Sequence, residues 1–183
     1  MDSPNLYWVR TEIIQNGKVV DRTDSRFGIR YIATDPNSGF YLNGVHTKLN
    51  GVCEHSDLGS LGMETYQAAV DRRIRTLKKY GVNAIRTSHN PVSPEFIEAC
   101  DRLGMLVFDE AFDQWLYSKN SDDYHNYFNK AADGKTVVFD KAGNDNTNND
   151  TSYIEVKRDD LQSNAERDIK AMVDRDKNAP CIF

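Results

Sequence analysis

NAIRTSHNP, residues 83–91, is the stretch on which the reading of this chain turns. Residues 83–87 alternate as a short apolar strand does, and Pro91, which lacks a backbone N–H, stops its continuation. The strand therefore delivers Arg86, His89 and Asn90 to one small volume at its carboxyl end. A guanidinium, an imidazole and an amide side by side are costly to order and desolvate. Such a crowd marks either a ligand site or a salt-bridged strand end.

The pattern repeats on both sides of that strand. Downstream, Ser93-Pro94 supplies an N-cap and a first-turn proline for a helix that runs to Leu103 and closes at Gly104. MLVFD (105–109) is the next strand, ending in Glu110 with Asp113 and Trp115 just beyond. Upstream, residues 64–80 are helical, with Tyr66, Val70, Ile74 and Leu77 on one face and Gly81 just past the end. Before that helix lies a strand over residues 48–53, which ends at Glu54-His55-Ser56-Asp57. Continuous apolar strands separated by helices predict an α/β fold with a parallel sheet covered on both faces.

The flanks differ. LYWVRTEII (6–14) is aromatic and β-branched, Asn16-Gly17 is a hairpin turn signal, and the run from Val19 to Arg30 makes the return strand. Such a ribbon is marginal alone and needs something to pack on. Ser38-Gly39 and Asn43-Gly44 punctuate two short strands, residues 40–42 and 47–52. Residues 118–157 are another material: AGNDNTNND (142–150) is polar and of low complexity, and the flanking KTVVFD and TSYIEV are expected to pair as a hairpin. A helical period returns over residues 160–176, with Leu161, Ala165, Ile169 and Met172-Val173 apolar. PCIF (180–183) opens as a further strand.

Composition narrows the function. The chain has 183 residues, 28% of them charged, and a formal net charge of −5. An acidic balance argues against tracking nucleic-acid phosphates. No apolar run approaches the roughly 20 residues that cross a bilayer. The opening residues lack a basic stretch followed by an apolar one, so no signal peptide is expected. Cys53, Cys100 and Cys181 are scattered and odd in number, which predicts reduced, buried thiols and leans towards a cytoplasmic setting.

Ligands of parallel α/β folds sit beyond the carboxyl ends of the strands. That rule gathers His55 and Asp57 from the first strand, Arg86, His89 and Asn90 from the second, and Glu110, Asp113 and Trp115 from the third. Carboxylates and imidazoles bind hydroxyls while an indole covers a C–H face, so the set suits a sugar ring. A metal centre is the rival reading. No H-x-H or H-E-x-x-H spacing occurs, however, and Arg86 would repel a cation. No glycine-rich loop with a following lysine cradles phosphate, and no nucleophile elbow starts a serine triad.

Five blocks in this order and spacing, GFYLNG (39–44), KLNGVCEHSDLGSLG (48–62), GVNAIRTSHNPVSPEF (81–96), CDRLG (100–104) and VFDEAFDQW (107–115), resemble glycoside hydrolase family 2, in particular its bacterial β-galactosidases. RFGIR (26–30) is similar to the family's passage from an immunoglobulin-like sandwich into a (β/α)8 barrel. The resemblance implies the tail of that sandwich over residues 1–30 and the amino-terminal part of the barrel over 31–183, with 129–157 an insertion.

It further implies retaining hydrolysis of terminal β-galactosides by two glutamates, whose carboxyls lie about 5–5.5 Å apart in such enzymes. In the family the acid/base follows a block like RDKNAPCIF (175–183), so both glutamates are expected beyond Phe183 and the chain alone is expected to be inactive. His55 and His89 match residues that line the sugar subsite and assist the transition state. Arg86 matches one that positions the nucleophile carboxylate. Asn90, Glu110, Asp113 and Trp115 match the pocket floor and wall. The glutamate and histidine that hold magnesium in some members have no counterpart in AFDQWL (111–116), so neither a metal nor a cofactor is expected.

A family 2 β-glucuronidase or β-mannosidase, or a carbohydrate-binding module without catalysis, stands as the alternative. The expected partner is a β-galactoside or related oligosaccharide, not a nucleic acid or a membrane. Unpaired barrel edges predict self-association of the chain.

Overall fold

The computed structural model describes residues 4–112, 137–140, 153–156 and 158–183. It opens on an antiparallel ribbon of β1 (Leu6–Gln15) and β2 (Lys18–Gly28). Asn16 and Gly17 join them at φ 51° and 73°, the pair of positive φ angles that a two-residue hairpin turn demands. Three short strands follow as a small antiparallel sheet: β3 (Ile32–Asp35), β4 (Gly39–Leu42) and β5 (Val45–His46).

The parallel sheet comes next. β6 (Gly51–Glu54) leads through a loop to α1 (Gln67–Lys79), then β7 (Ala84–Thr87), α2 (Pro94–Leu103) and β8 (Leu106–Phe108). The strands lie in the order β6-β7-β8. Ser93 caps α2 as expected, its Oγ accepting the Phe96 N–H at 3.2 Å, and Gly104 ends the helix in the left-handed conformation. Val70, Ile74 and Leu77 from α1 meet Phe96, Ile97, Ala99 and Cys100 from α2 over Val52, Ile85 and Val107 of the strands. This is the core, and Ile74, Ala99 and Val107 have no exposed surface at all.

Several expectations need correcting. The sheet is helix-covered on one face among the described residues, not on both. Sequential strand order with right-handed crossovers puts α1 and α2 on the same side, the side of Ile85, Thr87 and Val107. Cys53, Arg86 and Phe108, aligned by the strand register, share the opposite face, and Cys53 and Phe108 are exposed there. Cys53 is thus not the buried thiol expected, whereas Cys100 and Cys181 are buried. The first parallel strand starts at Gly51 rather than Lys48. The Asn83 amide takes the place of ladder bonds there, donating to the Lys48 carbonyl and accepting from Asn50 N–H, each at 2.8 Å. Tyr66 precedes α1 and is half exposed instead of joining its apolar face. The last residues meet the sheet as a single parallel bridge between Val107 and Ile182 rather than as a strand, with the Phe183 ring 5.8 Å from that of Phe108.

The chain divides into two compact units, Met1–Glu110 with Arg175–Phe183, and Ala111–Asp174. In the second, β9 (Val137–Asp140) and β10 (Tyr153–Val156) pair antiparallel, as KTVVFD and TSYIEV predict. α3 (Arg158–Asp176) carries Ala165, Ile169 and Met172 half-buried along one stripe, and its last two residues belong to the first unit.

Candidate functional site

The carboxyl end of β7 does what its sequence predicts. Arg86 reaches across to Glu110, one strand over, and grips it with a fork: Nε donates to Oε1 at 2.5 Å and Nη2 to Oε2 at 3.2 Å. The guanidinium holds the Glu110 carboxyl below the usual carboxylate range, and Glu110 in turn raises Arg86 further. Glu110 is well covered, with 18% of its side chain exposed, while Arg86 keeps 42% in the open. The pair is anchored on one side and addressable from the other.

His89 completes the cluster. Its Nδ1 lies 3.2 Å from Arg86 Nη2 and 3.3 Å from Glu110 Oε2. One nitrogen cannot serve both neighbours alike. It accepts from the guanidinium when it carries no proton and donates to the carboxylate when it does, so the arrangement has two hydrogen-bonding states. The His55 ring stands edge-on to His89 with centroids 5.8 Å apart, which brings the ends of β6 and β7 together. Asn90 Nδ2 donates to Ser56 Oγ at 2.8 Å and bridges the same two strand ends.

Asp57 plays another part. Its Oδ1 accepts from the Gly59 N–H at 3.1 Å and its carbonyl accepts from Arg73, so it shapes the loop after β6 and does not join the cluster. Glu54 pairs with the same Arg73 at 3.0 Å. Asp113 and Trp115 lie outside the described residues, so the expected indole wall has no description here.

Three contributors escaped the sequence reading. Thr87, fully buried, donates from Oγ1 to Asp109 Oδ1 at 3.1 Å and accepts the Glu110 N–H at 2.8 Å, pinning the backbone of the key carboxylate. Cys53 accepts from Arg86 Nη1 through its sulfur at 3.7 Å. Phe108 stands beside Arg86 in register and 47% exposed, an aromatic surface on the open face of the sheet. The signal for Phe108 was available, since it lies two residues before Glu110 and in-register strand neighbours share a face.

This geometry can bind a polyhydroxylated ring: one covered carboxylate, one fixed guanidinium, two imidazoles and an amide converge on an open face that bears an aromatic side chain. Among the described residues no group of three or more His, Cys, Asp or Glu side chains could hold a metal ion.

Comparison with known proteins identifies the family. A family model described as the TIM barrel domain of glycosyl hydrolases family 2 matches residues 34–183. A β-galactosidase of Bacteroides ovatus is 46% identical over 130 residues, covering 71% of this chain and 15% of its own length. A β-glucuronidase of Bacteroides fragilis is 33% identical over 109 residues, covering 60% of this chain and 16% of its own. Among solved structures, a β-glycosidase from Bacteroides vulgatus superposes with a TM-score of 0.72 at 32% identity, over 100% of this chain and 19% of that one. The chain thus spans less than a fifth of each of these relatives.

Proposed function

This chain belongs to glycosyl hydrolases family 2, and on that premise we propose that it supplies the sugar-holding side of the active site of a retaining exo-β-glycosidase acting on terminal β-galactosides. The observation that carries the reading is the Arg86–Glu110–His89 cluster, with His55 beside it, at the carboxyl ends of adjacent parallel strands. In a barrel that is the catalytic end. Retaining chemistry needs two further carboxylates, one donating a proton and one attacking the anomeric carbon. Glu110 is held ionised, which disqualifies it as the proton donor, and both its oxygens are engaged by the Arg86 fork, which leaves neither free to attack. We assign both catalytic glutamates to polypeptide outside these residues. Arg86 then orients the attacking carboxylate while His55, His89 and Asn90 hold sugar hydroxyls.

A β-glucuronidase is the second reading, because relatives of both names match. Arg86 stays 42% exposed beside Glu110, so its open edge can meet a uronate as well as a catalytic carboxylate. The neutral sugar is preferred on the sequence blocks, which resemble the bacterial β-galactosidases in particular. The β1–β2 ribbon, which exposes Tyr7, Trp8, Ile13, Ile14 and Val20 among its charged residues, fits the last hairpin of a preceding immunoglobulin-like sandwich. The 129–157 segment fits an insertion in the barrel.

Two measurements test this. The 183-residue chain is expected to release no phenol from an aryl β-galactoside; hydrolysis that His89→Ala abolishes would overturn the placement of the glutamates. In the complete enzyme, kcat/KM for aryl β-galactosides is expected to exceed that for the glucuronides, and Arg86→Ala is expected to cost on the order of 100-fold in kcat. The opposite preference would hand the site to the uronate reading.

A further inference from the structure

Below the Arg86–Glu110 pair, on the helix-covered face, lies a second acidic group that the glycosidase reading does not use. Asp109 leaves β8 pointing to the side of Thr87, away from Arg86. Its Oδ1 accepts the Thr87 hydroxyl at 3.1 Å. Its Oδ2 is buried and meets no hydrogen-bond donor among the described residues. What it meets instead is a second carboxyl, that of Asp176 at the end of α3. Asp176 is 5% exposed and is itself gripped by Arg175, through Nε at 2.8 Å and Nη2 at 2.6 Å. The charged groups that face Asp109 are therefore Asp176 and Arg175 from α3, while β7 presents the uncharged Thr87.

Two ionised carboxylates in contact and out of water repel strongly, and a buried carboxylate oxygen with no donor costs its full desolvation. One proton removes both problems. Placed on Asp109 Oδ2, it donates to the Asp176 carboxyl, whose two oxygens already accept from Arg175 Nε and Nη2. We propose that Asp109 and Asp176 share a single proton, and that this acid pair is the positioning device for Glu110. The link is Thr87. Its hydroxyl has one hydrogen, which goes to Asp109 Oδ1, leaving a lone pair aimed at the Glu110 N–H. Fixing Asp109 therefore fixes the rotor that holds the Glu110 backbone, and with it the Arg86 fork.

Burial first, and then the Asp176 carboxyl, push the Asp109 acid up to about 6, against the lowering pull of Thr87 and Arg175. An unfolded aspartate titrates near about 3.9, so the folded chain holds this proton where the unfolded chain has lost it. The stability it contributes is fully present below about pH 4 and is lost as pH rises through about 6. The expected signature is a melting midpoint that falls by several degrees between about pH 5 and pH 7.

Asp109→Asn tests the pair, because its amide donates permanently to Asp176 while its carbonyl still accepts from Thr87. That variant should melt higher than the parent at neutral pH, and the fall between the two pH values should vanish. The same fall in parent and variant would sink the proposal. A measurement on the unmodified chain keeps it testable should the variant not fold: the carboxyl 13C shift of Asp109 should titrate near 6, and the Glu110 amide shift should move with the same midpoint. Titration near the ordinary aspartate value overturns the shared proton. A Glu110 amide that stays still while Asp109 titrates overturns the positioning role.

Discussion

Two of the three β regions of the first unit, the amino-terminal ribbon and the parallel sheet, end in opposite conditions. The β1–β2 ribbon is long, ten residues against eleven, yet its Trp8, Ile13, Ile14 and Val20 are each more than half exposed. The β6-β7-β8 sheet is made of strands of three or four residues, and Ile85, Thr87 and Val107 are sealed beneath two helices. Strand length and β propensity are therefore not what stabilises a strand here. Coverage is, and coverage comes from the helices that each crossover must supply. The ribbon has no crossover of its own. It is tied down at its far end, where Arg26 bonds Glu98 at 2.6 Å and Arg30 donates to the Ile182 carbonyl.

The sharpest way to break this contrast is to empty the covered region. Ile74→Ala, at a site with no exposed surface, should cost about 2–5 kcal/mol by chemical denaturation, since a core cavity adds to the lost transfer energy. A cost under about half a kcal/mol would mean the helices are not packed as described. Ser93→Ala should cost about 1 kcal/mol, because it releases the Phe96 N–H at the start of α2. An equal loss on replacing exposed Tyr80 would show that the cap is not the cause.

Arg86→Ala should change stability little, its side chain being 42% exposed, and still change the chemistry of its neighbour. Glu110 is held low, so the pair stabilises above the unfolded carboxylate value of about 4.3 and that contribution disappears as pH falls through the lowered folded value. In the variant, Glu110 should titrate at its ordinary position by NMR. The smallest expected effect on stability lies in the ribbon. Ile14→Thr should leave the melt within about half a kcal/mol and reduce self-association in sedimentation, because it removes exposed apolar surface and keeps a β-branched residue. A large destabilisation would show that the ribbon is as well packed as the sheet.

Local signals in the sequence reported local structure faithfully. The Asn16-Gly17 turn, the Ser93 cap with Pro94, the Gly104 stop and the crowding at Arg86, His89 and Asn90 are each settled within a few neighbours. What the sequence concealed depended on distance along the chain. Asn83 shortens β6 from 33 residues away, and Thr87 finds Asp109 across 22. The single covered face follows from strand order, which periodicity within one strand cannot report. Asp109 read as the polar end of a strand because its buried neighbour Asp176 belongs to a helix far downstream.

That neighbour has a consequence for how such a protein changes over time. The chain leaves the first unit after Glu110 and re-enters it at Arg175, and the contact between Asp109 and Asp176 sets exit and return side by side. Whatever lies between them is an excursion whose two ends the scaffold already holds together. Lengthening it twofold costs only about 0.6 kcal/mol of closure entropy. Lineages are thus free to grow, trim or exchange the middle of the 111–174 excursion without pulling β8 and α3 apart, and variation in length among descendants should gather there rather than in the strands.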